Sequence, residues 1–278
     1  MNLTTIIATR GRPELLRQTV SITAPNMILP ESRLLIAVDA DDDATLADIA
    51  WLPSDPRIIL SVEPREDTRG PKYDRALRLA PADVYMPVGD YTPIHMRGFD
   101  AAILQAAQLF HDGIGCVNTP LINASFPGIQ APTAKLVELM GYIYPPHFPF
   151  WFIDHWLDDI ARMIGRYCTV DIDSDHTSFS GKRKTIGLRD VRFWADYFDL
   201  LTGERQAQAS RIIDHLDEPE TAKQRLRMNF PLVDFRSRWV NSLIGGLPDN
   251  DPPDERYMRV KIRALEHLNR LGLLDAAA

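Results

Sequence analysis

The stretch Leu34-Leu35-Ile36-Ala37-Val38-Asp39-Ala40-Asp41-Asp42-Asp43 decides the fold, because a short apolar run ends directly in a crowd of carboxylates. The apolar part has the length and character of a strand buried in a sheet. Four aspartates within five positions repel one another unless the loop is well solvated or a positive or hydrogen-bond-donating group approaches it. The sequence therefore predicts a buried strand that ends either in a solvated loop or in a binding loop.

Short strands and amphipathic helices alternate on both sides of this stretch. Strands are predicted at residues 3–8, 33–38, 57–62, 84–88 and 115–117, and helices at 14–23, 43–51, 72–80 and 99–110. This alternation predicts an α/β fold with a mostly parallel sheet and helices on both faces. Ligands of such sheets bind beyond the carboxyl ends of the strands, where Asp39 and Asp90 fall. Their position favours a binding loop over a merely solvated one.

The pattern changes after Pro132. Helices are predicted at 133–142 and 153–164, a strand at 169–172, and largely helical structure from 188 onward, with a charged, proline-bearing linker at 247–255. We therefore expect an α/β domain over residues 1–185 and a helical C-terminal extension over residues 186–278.

Composition excludes several classes of protein. The chain has 278 residues, of which 45% are hydrophobic and 25% charged, as in ordinary soluble domains. A net charge of −7 argues against a broad nucleic-acid surface. Cys116 and Cys168 are predicted to be buried thiols in a reducing compartment. We find no secretory signal and no apolar run near the ~20 residues of a membrane span, so we expect a cytoplasmic protein without a transmembrane segment.

Candidate binding residues lie at two strand ends. The first turn, Thr9-Arg10-Gly11-Arg12-Pro13, lacks both phosphate-binding glycine motifs. Its arginines can nonetheless meet a phosphate or a nucleobase edge, or they can be surface residues of a solvated turn. Asp39 can accept hydrogen bonds from a ribose or a base. Asp41, Asp42 and Asp43 can partly serve as N-caps of the next helix.

Three further residues are candidates for chemistry. Asp90 follows a buried strand and can bind a hard divalent cation such as Mg²⁺ or Mn²⁺, or it can be a turn aspartate. Asp154 follows the aromatic run 148–152, which can raise its pKa toward the value that a general base requires. It can equally be a helix N-cap. His176 can ligate a metal through neutral imidazole, or it can be polar surface.

Taken in order, these residues resemble family 2-type glycosyltransferases of the GT-A fold. The family's T-x-N-R-P-x-x-L turn is similar to T-R-G-R-P-E-L-L, which begins at Thr9 and has Gly11 in place of the usual Asn. V-D-A-D-D-D-A-T resembles the family's nucleobase-binding loop, and G-P-K-Y-D-R-A-L resembles the helix that approaches the diphosphate. V-G-D-Y retains only Asp90 of the family's D-x-D metal motif.

The resemblance continues downstream and covers roughly residues 1–185. Asp154-His155, followed by Arg162 and Gly165, is similar to an acidic pair that opens a helix in the family. His176, followed by Gly181-Lys182, is similar to the histidine that completes the metal site in several members.

The resemblance implies an inverting glycosyltransferase that uses a nucleotide-diphosphate sugar. Asp154 would be the base, and Asp90 with His176 would hold Mg²⁺ or Mn²⁺. The residues expected to bind the nucleotide are Thr9, Arg12, Asp39, Asp41, Lys72 and Arg75. The acceptor stays open: a glycan, a lipid-linked molecule or a small molecule.

Two other functions stay open from the sequence. One is nucleotidyl transfer onto a sugar phosphate, although that chemistry usually needs a longer glycine-rich, lysine-bearing first loop. The other is a non-catalytic module that binds nucleotide sugars, which the reduced metal motif favours.

Overall fold

The structure is a computed structural model that describes residues 1–120, 128–174, 189–249 and 251–274. The described chain forms two compact units. The first contains the described residues of Met1–Glu66, Pro71–Ile143 and Tyr167–Ser180, and the second those of Asp67–Gly70, Tyr144–Arg166 and Gly181–Ala278. The predicted domain boundary between residues 185 and 186 stays a prediction.

The first unit carries the strands. They are β1 (Leu3–Ala8), β2 (Arg33–Asp39), β3 (Ile58–Glu63), β4 (Val84–Gly89), β5 (Cys116–Thr119), β6 (Ile129–Pro132) and β7 (Tyr167–Thr169). The helices that accompany them are α1 (Pro13–Asn26), α2 (Asp43–Asp48), α3 (Gly70–Leu79), α4 (Phe99–Ala107) and α5 (Ala134–Met140). The predicted alternation of strands and helices is confirmed.

Four strands form a parallel sheet in the order β3-β2-β1-β4, as the alternation predicts. A second sheet has the order β6-β5-β7, in which β5 is antiparallel to β6 and parallel to β7. In the register of the first sheet, Ala8 pairs with both Ala37 and Gly89. The carboxyl ends of β1, β2 and β4 therefore lie at the same edge.

The apolar run of β2 is completely buried, because helices cover the sheet. Its side chains alternate between the two faces of the sheet, as in any strand. Leu34, Ile36 and Val38 share a core cluster with Leu16 of α1 and Ile103 of α4. The strand ends where this burial gives way to the aspartate loop.

Some boundaries differ from the predicted ones. The predicted helix 43–51 ends as α2 at Asp48 and continues as a 3-10 turn at Ile49–Trp51. Asp42 is the N-cap of α2, because its side chain accepts a hydrogen bond from the backbone N of Thr45 at 3.3 Å. The strand predicted at 169–172 lies at Tyr167–Thr169, where it pairs with β5.

The second unit is helical in its described part, as expected for the C-terminal half. Its helices are α6 (Ile153–Met163), α7 (Val191–Leu200), α8 (Thr202–Asp214), α9 (Glu220–Met228), α10 (Phe230–Gly245) and α11 (Glu255–Arg270). The predicted linker at 247–255 falls between α10 and α11. The core of this unit is aromatic: Phe148, Trp156, Trp194, Tyr197 and Phe198 are all buried.

Two expectations about the chain as a whole have structural outcomes. Among the helices that the structure describes, none is long and apolar enough to cross a membrane. Cys116 is buried and Cys168 half-buried, and both are free thiols. Burial raises the pKa of Cys168.

Candidate functional site

The predicted nucleotide-binding residues come together at the carboxyl edge of the parallel sheet. Thr9, Arg10 and Arg12 follow β1, Asp39 ends β2, and Asp90 follows β4. Their side chains form two groups of ion pairs, one around Asp90 and one around Asp39.

Asp90 is completely buried, and the turn after β1 holds its carboxylate on both sides. Thr9 Oγ1 donates a hydrogen bond of 2.7 Å to Oδ2. Arg12 Nη2 lies 2.9 Å from Oδ1, although the Arg12 side chain is 37% exposed. The Arg12 guanidinium also lies over the Tyr91 ring, 5.6 Å from its centroid. On the backbone, the carbonyl of Asp90 accepts a hydrogen bond of 2.8 Å from Thr19 Oγ1 of α1.

Asp39 is buried at the centre of three cations. Lys72 Nζ lies 2.7 Å from Oδ1, Arg10 Nη1 lies 3.1 Å from Oδ2, and Arg75 Nη2 lies 3.7 Å from Oδ1. Lys72 also donates a hydrogen bond of 2.7 Å to the carbonyl of Thr9, which links the two groups. The crowded carboxylates after β2 are therefore matched by positive charge from α3 and from the first turn.

The two cations contributed by α3 are themselves buried. Burial lowers the pKa of the Lys72 ammonium below its usual value, and the ion pair with Asp39 opposes this shift. Arg75 forms two hydrogen bonds with Glu66, of 2.8 and 2.6 Å, and one of 2.8 Å with the Val38 carbonyl. Arg75 thus braces the end of β2, and its predicted contact with nucleotide stays a prediction.

The outer part of the site joins the first turn to the aspartate loop. Arg10 makes two hydrogen bonds with Asp41, of 2.6 and 3.0 Å. The Arg10 hydrogen bond holds the pKa of Asp41 below its usual value. Gly11 donates its backbone N–H to Asp42 Oδ2 at 2.9 Å and has a φ of 63°, which suits glycine.

Sequence reasoning missed Arg10 as a site residue. The signal was present, because the first turn contains two arginines, but the motif match selects Arg12 alone. The structure places Arg10 on both Asp39 and Asp41.

Of the two predicted metal ligands, Asp90 lies among the described residues. His176 lies outside the described residues, and within the described residues no group of three or more His, Cys, Asp or Glu side chains could hold a metal ion. Asp90 fits a hard divalent cation in its oxygen chemistry, because one or two carboxylates suffice when substrate phosphates complete the coordination shell. A cation at Asp90 Oδ1 would compete with the guanidinium of Arg12.

Asp154, the predicted base, lies in the first turn of α6 in the second unit. Its Oδ1 lies 3.0 Å from Nδ1 of His155. Burial alone would raise the pKa of Asp154, but the charge and hydrogen bonds of His155 hold it below its usual value. The charge and hydrogen bond of Asp154 in turn raise the pKa of His155. The expectation of a raised pKa at Asp154 is therefore wrong, because the contacts with His155 outweigh the effect of burial.

Asp154 is also not the N-cap of α6. That position belongs to Phe152, a non-glycine residue with a φ of 73°, and no side chain caps it. The alternative interpretation of Asp154 as a capping residue is thereby excluded. Its predicted role as a general base stays a prediction.

No protein-family model matches the chain, and no curated protein matches it. Solved structures do. The mannosyltransferase PcManGT from Pyrobaculum calidifontis, in complex with GDP-Man and Mn²⁺, is 13% identical with a TM-score of 0.54, over 99% of this chain and 84% of that one. S. aureus TarS 1–349 is 12% identical with a TM-score of 0.59, over 99% of this chain and 88% of that one. The same TarS fragment in complex with UDP-GlcNAc is 13% identical with a TM-score of 0.56, over 99% of this chain and 89% of that one.

At such identities the similarity concerns the fold. The chain has the GT-A glycosyltransferase fold, with its parallel four-stranded sheet flanked by helices. The predicted fold class and the resemblance in fold are confirmed.

Proposed function

We propose that the chain is a glycosyltransferase that transfers a sugar from a nucleotide-diphosphate sugar to an acceptor hydroxyl. The observation that carries the proposal is the pair of buried carboxylates, Asp39 and Asp90, each held by cations at the carboxyl edge of a GT-A sheet. In open α/β sheets this edge is where ligands bind.

When the donor binds, its diphosphate would replace Asp41 as the ion-pair partner of Arg10. Arg10 and Asp41 form an ion pair at the surface of the site, and exposed pairs of this kind contribute little to stability. A diphosphate can therefore take Arg10 from Asp41 at small cost. Asp39, fixed by Lys72, would accept hydrogen bonds from the ribose or base. PcManGT and TarS, which bind GDP-Man and UDP-GlcNAc, support a nucleotide sugar as the donor class.

The proposed chemistry is a single displacement. The acceptor oxygen forms a bond to the anomeric carbon while the bond from that carbon to the diphosphate oxygen breaks. The acceptor proton passes to the Asp154 carboxylate, and the electron pair leaves with the diphosphate. A single in-line displacement inverts the configuration at the anomeric carbon. The carboxylate form of Asp154 is the form that accepts a proton, and its contact with His155 favours that form.

Asp90, with His176, would hold Mg²⁺ or Mn²⁺. Such a cation, when bound, acts as a Lewis acid that neutralises charge on the departing diphosphate. In this chain Thr9 orients the Asp90 carboxylate by hydrogen bonding to Oδ2. Arg12 would turn from Oδ1 toward the phosphates, so that its charge also stabilises the leaving group.

One observation favours a second candidate, a non-catalytic module that binds nucleotide sugars. Arg12 already neutralises the one carboxylate that the metal motif retains. The rival of nucleotidyl transfer has no such support, since the first turn offers only Gly11.

The deciding experiment combines nucleotide binding with turnover. We expect UDP or GDP to stabilise the protein in a thermal-shift assay, more so with Mn²⁺ than with EDTA. The matching donor sugars should then release nucleoside diphosphate when an acceptor is supplied. Stabilisation without release by any donor and acceptor pair would favour the non-catalytic module. No stabilisation by any nucleotide would overturn both candidates.

A further inference from the structure

Helix α10 carries a row of large apolar side chains that are exposed. The exposed fractions are 70% for Leu232, 74% for Phe235, 54% for Trp239 and 49% for Leu243. Met228, at the end of α9, continues the row and is 78% exposed. We call these five residues the α10 stripe. Large exposed apolar patches on a protein surface commonly mark sites of interaction with a protein, a membrane or a ligand.

The spacing places the four stripe residues that belong to α10 on one side of that helix. Successive members are separated by three or four residues, which are neighbours on a helix surface. The opposite side of α10 is buried through Val233, Ser237, Val240 and Ile244. The helix therefore anchors itself in the second unit with one side, and the stripe contributes nothing to that core.

The charges beside the stripe are positive. Arg238 is exposed, whereas Arg236 is half-buried and pairs with the buried Asp158 at 2.7 Å. A second arginine, from α6, also contacts Asp158 at 2.9 Å, so this group keeps one net positive charge. By helical geometry Arg236 and Arg238 flank the stripe on its two sides. Within α10, which is described in full, the one acid is Asp234, and it is buried beside Gln206. The exposed surface of α10 thus combines apolar and cationic groups, although the whole chain has a net charge of −7.

We propose that the α10 stripe binds the surface of a membrane that contains anionic lipids. Trp, Phe and Leu side chains enter the boundary between headgroups and acyl chains, and the exposed Arg238 reaches a lipid phosphate. Each basic residue near an anionic leaflet adds attraction that salt screens. The contact lies along the membrane and does not span it, since α10 has 16 residues. This inference is independent of the proposed chemistry.

A second copy of the chain fits the stripe less well. A twofold interface places the same surface patch of two subunits against each other. The net positive charge beside one stripe would then come close to that beside the other, and like charges repel. An anionic surface complements both the apolar and the cationic groups.

The test is sedimentation of the full chain with vesicles. Vesicles of phosphatidylglycerol and phosphatidylcholine are compared with vesicles of phosphatidylcholine alone. We expect the wild type to bind the anionic vesicles, and salt to weaken the binding. The double variant Phe235→Ser/Trp239→Ser should bind at least about tenfold more weakly, because it loses two inserted aromatic side chains. Arg238→Glu should also weaken binding.

The matched control is Leu109→Ser, which changes an apolar side chain of the first unit that is 72% exposed. It should bind vesicles as the wild type does. All replaced residues are exposed, so circular dichroism should show unchanged folding. No sedimentation of the wild type, or equal binding by the double variant, would overturn the proposal. Light scattering provides a further test. If the wild type and Leu109→Ser were dimers and the double variant a monomer, the proposal would also be overturned and the stripe would be assigned to a second copy of the chain.

Discussion

The guanidinium of Arg12 lies 2.9 Å from Oδ1 of the buried Asp90, on the carboxylate that the reduced metal motif retains. Thr9 occupies the other oxygen at 2.7 Å. The protein thus supplies its own cation where we propose that a divalent ion binds, and the two would compete for one oxygen.

Arg12→Ala should bind Mn²⁺ several-fold more tightly than the wild type in the absence of nucleotide. The reason is that removal of the guanidinium frees Asp90 Oδ1 and removes a positive charge beside it. Electron paramagnetic resonance of free Mn²⁺ measures the affinity. Arg17→Ala is the matched control, because Arg17 is an exposed arginine of the same helical segment that pairs with Asp48 instead. Equal affinities of the two variants would contradict the competition.

Asp39→Asn should weaken binding of the nucleoside diphosphate by about tenfold or more, since a hydrogen bond to a charged group contributes about 1.5–3 kcal/mol. Asn keeps the size of the side chain beside the buried Lys72. Asp43→Asn is the control, because Asp43 is exposed in the first turn of α2. Calorimetry gives both affinities. Tighter binding by Asp39→Asn would mean that Asp39 only neutralises the cations that a diphosphate needs.

Short apolar runs predicted the strands β1 to β5 and helical spacing predicted most helices, although β3, at the edge of the sheet, leaves Leu60 and Val62 exposed. These patterns did not predict β6, a four-residue strand that contains a proline, or its antiparallel pairing with β5. Strand order depends on contacts between distant segments, which local patterns do not contain.

The candidate site likewise contains features that local sequence predicts and features that depend on contacts between distant segments. The positions of Asp39 and Asp90 at strand ends were readable from the sequence, since the carboxyl ends of parallel strands bind ligands. Their charge partners were not, because Lys72 lies on α3, far from Asp39 in the sequence, and reaches it only through the fold. The pKa of Asp154 was predicted from the preceding aromatic run. The adjacent His155 lowers that pKa, although its position could be read from the sequence.

Because of Asp74, the free energy of unfolding should fall as pH rises. Burial raises its pKa to about 6, while its carboxylate accepts the Ile143 N–H at 2.8 Å. The folded state then holds the proton more tightly than the unfolded chain does. This contribution is full below pH ~4 and is lost as pH rises through about 6.

Asp74→Asn keeps the acceptor for Ile143 but does not ionise. We expect it to match the wild type near pH 4 and to be more stable at pH 7, which urea denaturation across pH measures. Glu31→Gln, a change of an exposed loop acid, is the control and should leave the wild-type slope unchanged. If the stability of Asp74→Asn changed with pH as steeply as that of the wild type, the assignment of this pH dependence to Asp74 would be contradicted.

The last prediction concerns Asp154 as the general base. Asp154→Asn should lose about 10²–10⁴-fold in turnover, because Asn cannot accept the acceptor proton. Nucleotide affinity should stay near the wild-type value, since the proposed nucleotide contacts belong to the first unit.

The variant His155→Gln separates a base from a merely structural acid. His155 lowers the pKa of Asp154, so its replacement should raise that pKa. The acid limb of the pH profile of kcat/KM should then move to higher pH, while the protein stays folded and binds nucleotide. The measurement is turnover across pH for wild type, Asp154→Asn and His155→Gln with one donor. Near-native turnover by Asp154→Asn, or an acid limb that does not move in His155→Gln, would place the base elsewhere.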